Sequence, residues 1–135
     1  MKLILCLDDN NGMSFHNRRQ SRDLVVIQKI AALTEGDPVW MNAYSAKLFD
    51  GVAVDCMVDD QWMQRGSVNG FCFAENVDIR DCIPYISAVY VFRWNRVYPA
   101  QLYCPQELLD RFVLTSTQEF TGKSHPVITL EVYGK

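Results

Sequence analysis

Lys2-Leu-Ile-Leu-Cys-Leu7 opens the chain, and Asp8-Asp-Asn-Asn-Gly12 follows it. After Lys2 the first run is continuously apolar, which is how a strand covered on both faces reads; a strand with one wet face would alternate. The acids, asparagines and glycine behind it are turn formers. A helix pattern comes next. Ser21 stands where a cap belongs, and Leu24, Ile27 and Ile30 or Ala31 recur at spacings of three and four up to about Leu33. Gly36-Asp37-Pro38 ends it. Buried strand, loop and helix are the first unit of an α/β sheet.

The same alternation runs on. Val39–Met41, Val52–Val54, Phe71–Ala74 and Ala88–Phe92 read as further short strands. Short helical stretches fall over Tyr44–Phe49, over Asp59–Arg65 with Gly66 as its stop, and over Asp78–Tyr85 despite Pro84. Tyr98–Pro105 is the longest irregular stretch, and Arg111–Thr117 is strand-like. The tail reads two ways: Ile128, Leu130 and Val132 alternate as in a strand, while Ser124 followed by Pro126 fits a helix opening. No repeat, low-complexity segment or linker interrupts the pattern. The prediction is one α/β domain over residues 1–135, a mainly parallel sheet with helices on both faces.

Composition narrows the function. With 135 residues, 49% of them hydrophobic and 21% charged, the chain has the make-up of a soluble globular domain with a real core. The net charge of −3 argues against binding nucleic acid by bulk charge, so any anion recognition is local. Five cysteines, an odd number without CxxC spacing, read as reduced buried thiols of a cytoplasmic protein. His16 and His125 have no spaced partner and form no zinc pattern. The apolar start is too short for a signal peptide, and no run reaches membrane-spanning length, so no membrane partner is expected.

Against that acidic background, the loop from Asn10 to Asp23 concentrates His16, Arg18, Arg19 and Arg22 ahead of one carboxylate, Asp23. It lies between a buried strand and a helix start, where an open α/β sheet places its ligands. The arginines suit phosphate or carboxylate capture, or else pair with Asp8, Asp9 or Glu35. Arg22 opposes the helix dipole unless an acid or ligand offsets it. Asp23 reads either as a ligand-facing carboxylate capable of general acid–base work or as a first-turn residue that offsets the dipole. A second cluster, Arg93-Trp-Asn-Arg-Val-Tyr98, follows the fifth strand. There Trp94 would stack on a ring and Arg93 and Arg96 would hold an anion, with Tyr98 beside them. Tyr44 and Ser45 would line the same cleft. With both clusters at one sheet edge, the arginines would converge. His125, before Pro126, reads either as a base, though no Ser or Cys partner is indicated by spacing, or as structural; Trp40 and Trp62 read as core.

Several strings, in order along nearly the whole chain, resemble dihydrofolate reductase. Leu3-Ile-Leu-Cys-Leu-Asp-Asp-Asn-Asn-Gly-Met13 is similar to that family's first strand and Gly-Met loop. Arg22-Asp23-Leu24 resembles the start of its first helix, where the substrate-binding carboxylate stands. Pro38-Val-Trp-Met-Asn-Ala-Tyr-Ser45 is similar to its Pro-Val-Ile-Met-Gly-Arg-x-Thr, and Val89-Tyr-Val-Phe-Arg-Trp-Asn-Arg-Val-Tyr98 to its Ile-Gly-Gly-x-x-x-Tyr. Phe112-Val-Leu-Thr115 with Glu119-Phe-Thr-Gly-Lys-Ser124 resembles Leu-x-Leu-Thr followed by Glu-x-x-Gly-Asp-Thr. The resemblance implies that family's α/β fold, NADPH as cofactor and Asp23 as the ligand carboxylate. Three features depart from it. Arg93 and Trp94 stand where the family keeps the two glycines that admit the dinucleotide. Asn42 and Ala43 replace its Gly-Arg, and Asn17-Arg-Arg-Gln-Ser-Arg22 replaces the stretch with Trp and Pro.

The leading expectation is a domain that binds a phosphorylated or carboxylated small molecule, such as a nucleotide, at the carboxyl edge of the sheet. The alternatives are a divergent NADPH-dependent reductase and a partner-binding or RNA-facing protein; bulk acidity disfavours RNA.

Overall fold

The structure, a computed structural model, describes residues 1–65 and 69–135. The strands are β1 (Lys2–Leu7), β2 (Gly12–Phe15), β3 (Arg18–Arg19), β4 (Pro38–Met41), β5 (Asp55–Val58), β6 (Phe71–Phe73), β7 (Ala88–Arg93), β8 (Leu102–Tyr103), β9 (Val113–Phe120) and β10 (Ile128–Gly134). The α-helices are α1 (Leu24–Leu33), α2 (Ala43–Ala46) and α3 (Gln106–Asp110). Tighter 3-10 turns occupy Lys47–Phe49, Trp62–Arg65 and Arg80–Tyr85. The expected stop at Gly66 lies outside the described residues.

The main sheet runs β5-β4-β6-β1-β7-β10-β9. The first five of these strands are mutually parallel, while β10 is antiparallel to β7 and β9 to β10. The predicted mainly parallel sheet is therefore present, with an antiparallel edge. β1 sits in the middle, and its side chains alternate between two cores. Leu3, Leu5 and Leu7 enter a core with Trp62, Ile79, Ile83, Leu108 and Leu109, under α3 and the 3-10 turns at Trp62–Arg65 and Arg80–Tyr85. Ile4 enters the other, with Val26, Ile27 and Ile30 of α1, Phe49, Phe73 and Phe92. Each fully buried Leu or Ile of these layers is worth about 1.5–3 kcal/mol over exposure. The continuous apolar run of β1 is thus the signature of a strand feeding two cores. Among the described residues no helix is long and apolar enough to cross a membrane.

Four local expectations change. The strand expected at Val52–Val54 lies at Asp55–Val58. The Val52 N–H donates to the Phe49 carbonyl at 3.0 Å and the Val54 N–H to the Val52 carbonyl at 2.8 Å, so these residues close turns behind Gly51 (φ +73°) and pairing with β4 starts later. The cap of α1 is Asp23, not Ser21: Asp23 is extended (φ −151°) and its carboxylate accepts the Val25 N–H at 2.9 Å. The loop from Asn10 to Asp23 contains a hairpin. Phe15 pairs with Arg18 across His16 and Asn17, both at positive φ (50° and 61°), the backbone a two-residue hairpin turn needs. The irregular stretch after Tyr98 includes β8 on that hairpin, and the tail is a strand because β7 and β9 both pair with it.

Candidate functional site

The alternation of β7 decides what its end presents. Val89 and Val91 point to the core under α3, Tyr90 and Phe92 to the core under α1. Carried one step on, Arg93 takes the first side and Trp94 the second. Arg93 Nε contacts Glu131 Oε1 at 2.8 Å, and its Nη1 donates to the Asp8 carbonyl at 3.1 Å and to Asn11 Oδ1 at 2.6 Å. It lines a polar depression of about 410 Å³ with Asp9, Gln106 and Thr129. Trp94 is 3% exposed and stacks on His125 at 4.6 Å between ring centroids. The two neighbours serve opposite faces, so the expected joint site of Arg93 and Trp94 is corrected: the arginine is consumed by its partners and the indole is buried. Arg96 is exposed on the turn beyond.

Asp8, directly after β1, is fully buried and its carboxylate is saturated. Oδ1 accepts the N–H groups of Gly12 (2.7 Å) and Asn10 (2.9 Å); Oδ2 accepts Gln20 Nε2 (3.0 Å) and the Tyr98 N–H (3.1 Å). Burial pushes its pKa up, but these hydrogen bonds outweigh it and hold the carboxyl below its ordinary range. A Cβ at Gly12 would stand 2.6 Å from Gln20 Nε2 and 2.9 Å from Asp8 Oδ2, so only glycine lets the β2 backbone approach.

Gln20 and Tyr98, joined by Asp8, are two walls of a cleft of about 590 Å³; Phe15, His16, Arg18, Arg19 and Pro99 complete it. The structure thus gathers His16, Arg18, Arg19 and Tyr98, four of the residues singled out in the sequence, around one space. Their standing differs. Arg18 and His16 are exposed, and Arg18 has no carboxylate partner among the described residues. Arg19 is committed: its guanidinium meets both oxygens of the buried Glu75 at 2.7 and 2.9 Å and lies 4.4 Å over the Tyr44 ring. Tyr44 Oη accepts the Arg19 N–H at 3.0 Å, and Ser45 Oγ donates to Glu75 at 2.8 Å. Tyr44 and Ser45, expected to line the cleft, instead stand behind Arg19 and fix it. Arg22 is exposed, outside the cleft lining.

Asp23 is 2% exposed. Besides capping α1 it accepts the N–H groups of Lys123 (2.9 Å) and Ser124 (2.8 Å) and faces His125 Nδ1 at 3.0 Å. Burial opposes ionisation, yet the Lys123, Ser124, His125 and Val25 hydrogen bonds hold its carboxyl well below the usual range. Gly122 makes room: a Cβ there would stand 2.5 Å from Asp23 Oδ2. The other ring nitrogen of His125, Nε2, meets Ser21 Oγ at 3.1 Å and Tyr98 Oη at 3.0 Å. Sequence reasoning left His125 without a partner, took Asp8 only as a turn acid or a partner for the arginines, and did not single out Glu75. For the two acids a signal existed: Asp8 directly follows the buried β1 and Glu75 stands two residues beyond the buried β6, where the sheet edge forms. For His125 the partner Ser21 is 104 residues away.

The nicotinamide dinucleotide implied by the resemblance does not fit the residues present. Its frame needs small residues at the end of β7 and a helix start behind them; here Arg93 ends β7, Trp94 and Asn95 follow, and residues 94–101 run without a helix until α3.

No protein-family model matches the chain, and no curated protein matches it. Among solved structures, dihydrofolate reductase from Enterococcus faecalis, complexed with NADP(H) and RAB-propyl, is similar with a TM-score of 0.69. The match covers 98% of this chain and 94% of that one at 8% sequence identity. Identity that low carries the architecture and not the chemistry. By fold, this chain is a single α/β domain of the dihydrofolate reductase type.

Proposed function

We propose that this protein binds a small molecule with a phosphate or carboxylate group and a flat ring, such as a nucleotide, in the cleft between the β2–β3 hairpin and Tyr98–Pro99. One observation carries the reading: in a chain of net charge −3, Arg18 and His16 border a cleft with aromatic walls, Phe15 and Tyr98, and Arg18 has no carboxylate partner among the described residues. A guanidinium recognises such an anion through parallel N–H groups, and an aromatic wall receives a ring. Arg19 lines the same cleft, but its charge is met by Glu75, which leaves Arg18 as the cleft's free guanidinium among the described residues.

Adenosine monophosphate, a simple phosphate and a dicarboxylate, titrated calorimetrically at low salt, test this. The expected result is saturable binding by at least one, weakened about tenfold or more in Arg18→Ala, with Tm unchanged because the residue is exposed. Absence of heat from all three, or undiminished binding by Arg18→Ala, overturns it.

A further inference from the structure

Ser21, His125 and Asp23 form a chain of contacts that ligand capture does not require. Asp23 is acceptor-only as a carboxylate, so the proton on the 3.0 Å contact to His125 belongs to Nδ1. In the neutral ring Nε2 is then an acceptor, and Ser21 Oγ donates to it at 3.1 Å. The base cannot swing. Its ring is 4% exposed, stacked on Trp94 and tied to Asp23, which is itself held by the Lys123 and Ser124 N–H groups. Ser21 is half-buried and reachable, next in sequence to Gln20 of the cleft wall. A hydroxyl on a base that a buried carboxylate orients is the arrangement that activates a nucleophile.

The geometry points to Ser21 as a nucleophile, with His125 as its general base and Asp23 as the positioning residue, acting on carboxylic esters. In this step Ser21 Oγ bonds to the carbonyl carbon and its proton passes to His125 Nε2. The C–O bond to the alcohol breaks, and the departing oxygen takes the proton back. Water, activated by the same nitrogen, then releases the acid and regenerates Ser21. Tyr98 Oη shares Nε2 at 3.0 Å, and one lone pair serves one hydroxyl at a time. A ligand that engages Tyr98 in the cleft frees the base for Ser21. The preference for an ester bearing an anionic group rests on the cleft reading; the reactivity of Ser21 does not.

The test is covalent labelling of the whole chain by a dialkyl fluorophosphate, a neutral reagent that needs no anion site. Ser21 Oγ displaces fluoride from phosphorus, its proton goes to His125, and the adduct is located by peptide mass spectrometry. The expected result is one adduct on Ser21, absent in Ser21→Ala and slowed at least tenfold in a folded His125→Gln. Tyr98→Phe, which removes the competing hydroxyl, should label faster than the wild type. The reagent carries no charge, so labelling does not depend on anion capture in the cleft, and an adduct on Ser21 with no ligand bound in the calorimetric titrations separates this inference from failure of the cleft reading. No Ser21 adduct in either wild type or Tyr98→Phe overturns the proposal. So does undiminished labelling in His125→Gln.

Discussion

His125 Nδ1 lies 3.0 Å from Asp23 Oδ2, across 102 residues of sequence, with both side chains almost fully buried. This contact closes the start of α1 onto the turn before β10, and the same carboxylate caps the helix and receives two backbone N–H groups of that turn. One aspartate therefore fastens two pieces of chain to each other.

Asp23→Ala should destabilise the protein by roughly 2–4 kcal/mol, because it removes a cap and strands buried donors together. Asp23→Asn, which keeps one carbonyl acceptor, should cost less. Urea denaturation measures both, and a loss below about 0.5 kcal/mol for Asp23→Ala would contradict the anchoring role.

Acid should unfold the protein. The carboxyls of Asp8 and Asp23 both titrate below their ordinary range in the folded state. Stability from a depressed carboxyl is fully present above its unfolded value, about 4, and is lost as the pH falls from there toward the folded value. Tm should be flat from pH 7 to about 5 and fall steeply below about 4 as these groups are protonated in the unfolded chain. Asp8→Asn should make that acid limb shallower. A limb identical to the wild type would mean that Asp8 is not one of the linked groups.

Arg19 and Glu75 form a pair whose side chains are 19% and 5% exposed. Arg19→Met leaves Glu75 buried with only the Ser45 hydroxyl, and should cost about 3–5 kcal/mol. Adding Glu75→Leu should recover a substantial part, because the uncompensated charge is gone. A double-mutant cycle reads the coupling directly, and additive losses would place the two residues in independent environments.

Trp94→Ala should cost about 3–5 kcal/mol by opening a cavity over His125. Because the indole fills the place where a dinucleotide would need glycine, NADPH should change the Tm and tryptophan fluorescence of the wild type no more than adenosine monophosphate does at the same concentration. Saturable quenching at micromolar NADPH would show that the cofactor enters by another route.

The strands next to the core were readable because their evidence is local. β1 is a continuous apolar run, α1 repeats at spacings of three and four, and Ala88–Phe92 lies within one residue of β7. The start of β5 was misplaced because Val52 and Val54 have strand-forming side chains but spend their N–H groups on turns. The tail read two ways until pairing with β7 made it a strand. In the site, the cation-rich loop pointed to the cleft containing His16, Arg18 and Arg19. Adjacency misled at Arg93 and Trp94, since neighbours in an extended chain face opposite sides of a sheet.

Residue order thus settled the class of fold, the central strand and the loop that borders the cleft, because periodicity and turn chemistry act between residues a few positions apart. Which cations stay free was a question of folding: Arg19 finds Glu75 across 56 residues, while Arg18 on the same strand finds no carboxylate among the described residues. The meeting of Ser21, Asp23 and His125 belongs to the same order of events. Those contacts exist only once the sheet has brought the end of β7, the start of α1 and the turn before β10 together, and no spacing along the chain encodes them.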